Sequence, residues 1–177
     1  MSSSTPEPLT AAVVTVSDSS HRGEREDLSG PAVAEVLTKN KFQVIAHRVV
    51  ADEQGDIEKT LVEFSEKARL VVTTGGTGVA PRDVTPEATR AVCERLLEGV
   101  AERMRAEGAK KTPYAALSRA VCGVRGTSLI LNLPGKPNGA VDSLRSVIQL
   151  LPHALQLLRG DTRHIEAGAS TAKKSHG

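Results

Sequence analysis

Apolar residues in this chain gather in short runs, separated by longer segments whose apolar positions recur every three or four residues. Residues 9–17, Leu-Thr-Ala-Ala-Val-Val-Thr-Val-Ser, are apolar on both faces and predict a strand buried in a parallel sheet. A polar loop over 17–27 leaves the carboxyl end of that strand, the edge where open α/β sheets place their ligands. A helix follows from Leu28-Ser-Gly-Pro, with Ser29 as the expected N-cap, Pro31 in the first turn, and Val33, Val36 and Leu37 on one face. Residues 42–50 predict a second strand, closed by Ala51-Asp52-Glu53-Gln54-Gly55. In the next helix Ile57, Leu61, Phe64 and Ala68 form a single stripe. Residues 70–74 are a third strand; after a glycine loop, Thr85 is expected to cap a helix with Pro86 at its first position and Glu87 in its first turn. Three strand-to-helix units in succession require right-handed crossovers and a mainly parallel sheet, so the fold class is doubly wound α/β.

The second half of the chain has a looser rhythm. Residues 96–111 read as helix interrupted at Gly99 and Gly108, and Thr112-Pro113 opens a short turn that runs to Leu117. Two β-like runs, 118–124 and 128–133, are joined by Arg125-Gly126-Thr127, which suits a hairpin or a small mixed edge. Asn132-Leu-Pro-Gly-Lys-Pro-Asn-Gly is a second Pro/Gly loop, with Asn138 the expected cap of the last helix. Val141, Leu144, Ile148, Leu151, Leu155 and Leu158 alternate three and four apart, a seam for the core or for a subunit interface, and Pro152 predicts a break near Leu151. Residues 1–8 and 161–177 carry no apolar period and are expected to be disordered tails around one α/β domain spanning 9–160.

Composition narrows the partners. At 177 residues the chain suits one domain with a full core. A net charge of +2, from 23 basic and 21 acidic side chains, shows no bias toward nucleic acid or a membrane surface. With aromatic residues at 2%, stacking platforms for single-stranded nucleic acid cannot be built in number. Cys93 and Cys122 stand in no metal-like spacing and read as small buried hydrophobes in a reducing compartment. No segment has the apolar length of a membrane span, and the opening Ser/Pro-rich residues lack the regions of a signal peptide, so a cytoplasmic protein is expected.

The candidate chemistry lies between residues 70 and 88: strand, three glycines within four positions, an Arg-Asp pair, helix start. Gly75, Gly76 and Gly78 fit neither a P-loop, which needs Lys-Ser/Thr at its end, nor a dinucleotide fingerprint, whose third glycine is replaced by Pro81. They suit an anion cradle, since glycine lets backbone N–H groups face a ligand and the following helix adds partial positive charge. Asp83 in the same loop would repel phosphate unless a metal ion lay between them, which hints at magnesium. Asp52 leaves the second strand at the same sheet edge, so the two carboxylates could converge on one ion; Asp52 reads equally well as a turn residue or helix cap. Ser118 and Arg119 offer a hydroxyl and a forked cation for a second anion, or an ordinary strand-edge ion pair. His21, His47, His153, His164 and His176 show no ligand spacing, and no Ser or Cys has an identifiable activating base. Phosphoryl chemistry, which needs mostly positioning and charge neutralisation, is the reaction class these residues favour.

These motifs carry a family resemblance. Thr-Val-Ser-Asp at 15–18, Asp-Leu-Ser-Gly-Pro at 27–31, Asp-Glu at 52–53, Thr-Gly-Gly-Thr-Gly at 74–78, Arg-Asp-Val-Thr-Pro-Glu-Ala at 82–88, Leu-Ser-Arg at 117–119 and Asn-Leu-Pro-Gly-Lys-Pro-Asn at 132–138 are similar to the molybdopterin adenylyltransferases of molybdenum-cofactor biosynthesis. The resemblance covers residues 9–161 and includes the corresponding domains of gephyrin-like fusion proteins. It implies a cytoplasmic homotrimer that joins the adenylyl group of ATP to the terminal phosphate of molybdopterin, with Mg2+, and that has transient contact with molybdopterin synthase and the molybdenum-inserting enzyme. Residue by residue, it implies metal and nucleotide roles for Asp52 and Asp83. A phosphate-holding loop follows for Gly75, Gly76, Thr77 and Gly78, and pterin-phosphate contacts for Ser118 and Arg119. Pro134, Gly135, Lys136 and Asn138 would line the pterin or phosphate region, with Ser17, Asp27, Ser29 and Gly30 bordering the same pocket. Ala51 departs from the family, where many relatives have Pro before the acidic residue. A binding protein of the same fold that holds molybdopterin without transferring AMP is the alternative; the presence of both carboxylates favours the enzyme.

Overall fold

The computed structural model describes residues 7–160, and the tails expected at 1–8 and 161–177 lie outside these residues apart from Glu7 and Pro8. A six-stranded sheet forms the middle layer, in the order β2-β1-β3-β6-β5-β4. Strands β1 (Thr10–Val16), β2 (Gln43–Val50), β3 (Leu70–Thr74) and β6 (Ser128–Leu133) are parallel, while at one edge β5 (Cys122–Arg125) pairs antiparallel with β6 and β4 (Arg95–Leu96) antiparallel with β5. The doubly wound, mainly parallel expectation holds, and the hairpin expected around Gly126 is β5–β6, with Arg125 opposite Ser128.

The helices are α1 (Asp18–His21), α2 (Ser29–Lys39), α3 (Gln54–Lys67), α4 (Thr85–Val92), α5 (Glu98–Ala109), α6 (Pro137–Val147) and α7 (Leu151–Leu158), with a 3₁₀ turn at Pro113–Leu117. Strand alternation sorts the core into two layers. Val13, Leu70, Val72, Leu129 and Leu131 pack with α2, α5, α6 and α7, whereas Val14, Val16, Val71 and Ile130 pack with α3 and α4. Burying both faces is what makes the central strands apolar throughout. The seam of the last helical region is core: Leu144, Leu151 and Leu155 are each at most 1% exposed. Pro152 does break it, sitting in the first turn of α7 after α6 has ended at Val147.

Four local expectations are corrected. The loop after β1 contains a helical turn, α1, capped by the Ser17 hydroxyl, which accepts from the Ser20 amide. Ser29 is the first residue of α2 and not its cap; Asp27 accepts from the Gly30 amide at 2.9 Å in that role. Thr85 likewise lies inside α4, and its hydroxyl donates to the Gly75 carbonyl at 3.0 Å. Asn138 sits exposed in the first turn of α6 and makes no cap bond. At Ser29 the cap bond passes to a neighbour and at Thr85 the hydroxyl finds a longer-range partner, a competition that cap preference does not resolve. Helix α5 also continues through Gly99 and Gly108, because packing outweighs the roughly 1 kcal/mol cost of a helical glycine. At Gly108 an added Cβ would meet the Ala115 Cβ at 2.9 Å, so the 3₁₀ turn is pressed directly against the helix.

Candidate functional site

The carboxyl ends of β1, β2, β3 and β6 open into a cleft of about 1070 Å³. Of the expected residues it is lined by Ser17, Asp27, Ser29, Asp52, Gly75, Gly76, Thr77, Gly78, Asp83, Ser118, Pro134, Gly135 and Lys136. Gly30, Arg119 and Asn138 do not line it.

The glycine loop is tightly built. Gly75 has φ +102° and an added Cβ would lie 2.2 Å from the Val16 carbonyl oxygen, so no other residue fits without moving backbone. The Gly75 amide donates to Leu133 O at 3.1 Å, and the Thr74 hydroxyl donates to Pro134 O at 2.7 Å, which ties this loop to the second Pro/Gly loop. Gly76, Thr77 and Gly78 differ: among the described residues their amides donate to no backbone carbonyl. Three successive uncommitted N–H groups at the mouth of a cleft make an anion cradle.

Two carboxylates flank it. An added Cβ on Gly76 would be 3.3 Å from Asp52 Oδ1, and one on Gly78 would be 2.8 Å from Asp83 Oδ2. Asp83 Oδ2 accepts from the Ala80 amide at 3.0 Å. Asp52 is fixed by a reciprocal clip, accepting from the Asp18 amide at 2.8 Å while its own amide donates to Asp18 Oδ1 at 3.0 Å. Arg82 completes the arrangement, its guanidinium donating to both Asp18 oxygens at 2.6 and 3.1 Å and to Glu53 at 2.8 Å. Three loops are thereby joined across the sheet edge. The Arg82 bonds, with the Asp52 amide, hold the Asp18 carboxyl down to about 2. Burial, and then the charges of Asp18 and Asp83, lift Asp52 above the usual carboxylate range against the pull of the Asp18 amide.

Crowded carboxylates beside an anion cradle are a fit for a divalent cation. Among the described residues no three His, Cys, Asp or Glu side chains form a cage, so an ion held by Asp52 and Asp83 would complete its shell with phosphate oxygens and water, as Mg2+ commonly does.

Arg119 has another task than the anion contact expected of it. Its Nε donates to Gly78 O at 2.8 Å and its Nη2 to Asp83 O at 2.6 Å, and both terminal nitrogens bond Glu87. With its amide donating to Thr77 O at 2.9 Å, Arg119 clamps the glycine loop from outside the cleft. Ser118 stays on the cleft side. Gly30 also acts through packing: an added Cβ would strike Asp27 Oδ2, His47 Nε2 and Thr15 Oγ1 at 2.4 to 2.5 Å, three atoms already mutually bonded at 2.7 to 3.1 Å. Asp18, Arg82, Thr15 and His47 join the site without being among the residues expected there. Asp18 has a signal in leaving the end of a parallel strand as Asp52 does, and Arg82 has one in its pairing with Asp83.

A mainly parallel α/β sheet with an amide cradle and paired carboxylates at its carboxyl edge defines a class of protein built around a phosphorylated ligand. Within that class the chain matches the family model described as a probable molybdopterin binding domain over residues 12–153, and it belongs to that family. It is 44% identical over 153 residues to a molybdopterin adenylyltransferase of Helicobacter pylori J99, covering 84% of this chain and 87% of that protein. It is 39% identical to the Escherichia coli K12 molybdopterin adenylyltransferase over 86% of each chain. Among solved structures, the molybdopterin biosynthesis enzyme MoaB from Thermus thermophilus is similar with a TM-score of 0.81 and 51% identity, over 86% of this chain and 97% of that one.

Proposed function

We propose that this protein is a molybdopterin adenylyltransferase, transferring AMP from ATP to the terminal phosphate of molybdopterin with release of pyrophosphate. One observation carries the reading: three uncommitted amides at Gly76, Thr77 and Gly78 lie between two carboxylates brought from different strands. Relatives at 39 to 44% identity that bear this enzyme's name support it. The attacking group, a phosphate oxygen of molybdopterin, is already ionised, so the absence of a nearby activated base from the expected set is no obstacle. The amides of 76–78 hold a phosphate, Asp52 and Asp83 hold the metal, and Ser118 and Lys136 present a hydroxyl and a cation to the second substrate. Bound Mg2+ would neutralise charge on the triphosphate. The reading also takes in a homotrimer, tested by light scattering for three protomer masses, and a cytoplasmic location; among the described residues no helix is long and apolar enough to cross a membrane.

Incubation of the purified protein with molybdopterin, Mg2+ and ATP labelled in the α-phosphate tests the proposal. Labelled adenylylated pterin and pyrophosphate are expected. Pterin binding without either product would leave the binding-only alternative in its place.

A further inference from the structure

The chain has one Tyr, two Phe and no Trp. Phe42 and Phe64 are 2% and 3% exposed and belong to the core, so Tyr114 is the one aromatic ring a ligand can reach, and it is 76% exposed. It is also part of the cleft lining, together with Leu117, Ala115 and Leu28. Leu28 and Leu117 are themselves 56% and 53% exposed, which makes this rim an apolar surface that water meets. The opposite character prevails at the glycine loop, where free amides and carboxylates line the same cavity.

The ring is carried on a rigid support. Thr112 caps the 3₁₀ turn, accepting from the Tyr114 amide at 3.3 Å, Pro113 sets its first dihedral, and Ala115 abuts Gly108 of α5. The turn ends at Ser118, and the next amide, that of Arg119, is bonded to Thr77 O at 2.9 Å. Four residues, 115–118, therefore separate Tyr114 from the residue whose amide is bonded to the cradle loop. Tyr114 and the cradle residues line one cleft.

Resting on the adenylyltransferase reading, we infer that Tyr114 is the stacking platform for the flat nitrogen heterocycle of a substrate whose phosphate sits on the amides of 76–78. A ring face on the phenol gains dispersion and quadrupole attraction and covers the exposed Leu117, while the phosphate keeps its place at the cradle. The purine of the nucleotide and the pterin share this chemistry.

Calorimetric titration of the full chain with AMP, neopterin monophosphate and ring-free ribose 5-phosphate separates the sources. A ring-bearing probe should bind more tightly than ribose 5-phosphate, and Tyr114→Ala should weaken that probe about tenfold or more, as loss of one stacked base does, leaving ribose 5-phosphate unchanged. Tyr114→Phe should retain the affinity. The single tyrosine also gives one assignable ring signal in NMR spectra, which the same probe should shift and ribose 5-phosphate should not. The inference is overturned if Tyr114→Ala binds both ring-bearing probes as the native chain does, if neither outbinds ribose 5-phosphate, or if the substitution weakens all three equally. Ring-dependent binding of the pterin alone, with no AMP binding, would uphold the platform and count against adenylyl transfer.

Discussion

Asp52 is held in a position that disfavours its own charge. Its proton is bound more tightly in the folded chain than in the unfolded one, where the ordinary value is 3.8. Folded stability therefore falls as pH rises from that value through the raised one, and stays reduced at neutral pH. Asp52→Asn keeps an oxygen for the Asp18 amide and removes the charge. It should raise Tm at pH 7 by roughly 2–4 °C, with the gain fading below pH 4, and should abolish turnover. A lower Tm at pH 7 would contradict the crowding argument. Asp83 lies in the cradle loop itself, its Oδ2 accepting from the Ala80 amide. For Asp83→Asn, AMP transfer should fall by about a hundredfold or more while pterin binding is kept, as calorimetry would show. An active variant would remove Asp83 from the metal site.

The glycine loop and the helices beside it work as one unit, and Arg119 is what joins them. It spans Gly78, Asp83 and Glu87 with one planar fork, and the fork holds the Glu87 carboxyl below its usual range. Arg119→Ala should thus loosen the placement of Asp83. Turnover is expected to drop about tenfold to a hundredfold, with pterin affinity changed by less than about threefold, in the manner of a positioning group that touches no substrate. Lost pterin affinity at unchanged kcat would restore the direct anion contact suggested by Leu-Ser-Arg. This element also shows why part of the site escaped a reading of the chain in order. The strand, the three glycines and the helix start follow from backbone needs of successive residues. The partner of a long side chain does not: Arg119 could serve a ligand, a carbonyl or a carboxylate until the fold brings one within reach.

Across the molecule, a polar node stands inside the sheet at Asn132 on β6, which is fully buried. Its side-chain amide donates to Thr73 and Thr89 at 3.0 and 2.9 Å, and its oxygen accepts from the Val121 amide at 3.2 Å. One residue thus joins β3, α4 and the segment leading into β5. Every buried side-chain polar atom among the described residues has a partner, so the network has no slack. Asn132→Ala strands the Val121 amide and takes a partner from the Thr73 hydroxyl, while Thr89 keeps its bond to Thr85 O, and should cost about 2–4 kcal/mol in urea unfolding. A change below about 1 kcal/mol would show that the core readily rearranges around this position.

The order of the strands and helices apart from α1 and the two-residue β4, the hairpin, the break at Pro152 and the placement of Asp52 and Asp83 on a common edge were determined by the sequence. Each depends on periodicity, on turn chemistry or on the handedness of crossovers, which neighbouring residues enforce. Tertiary structure decided which polar groups are bonded within the chain and which are left for a ligand. It committed the Gly75 amide to Leu133 and the Thr85 hydroxyl to Gly75, closed the Asp18–Asp52 clip, and left the amides of 76–78 uncommitted. These bonds join residues far apart along the chain, as Arg82 and Asp18 are at 64 positions. A hydrogen bond needs its partner within about 3 Å, and only the folded sheet edge brings such distant groups that close.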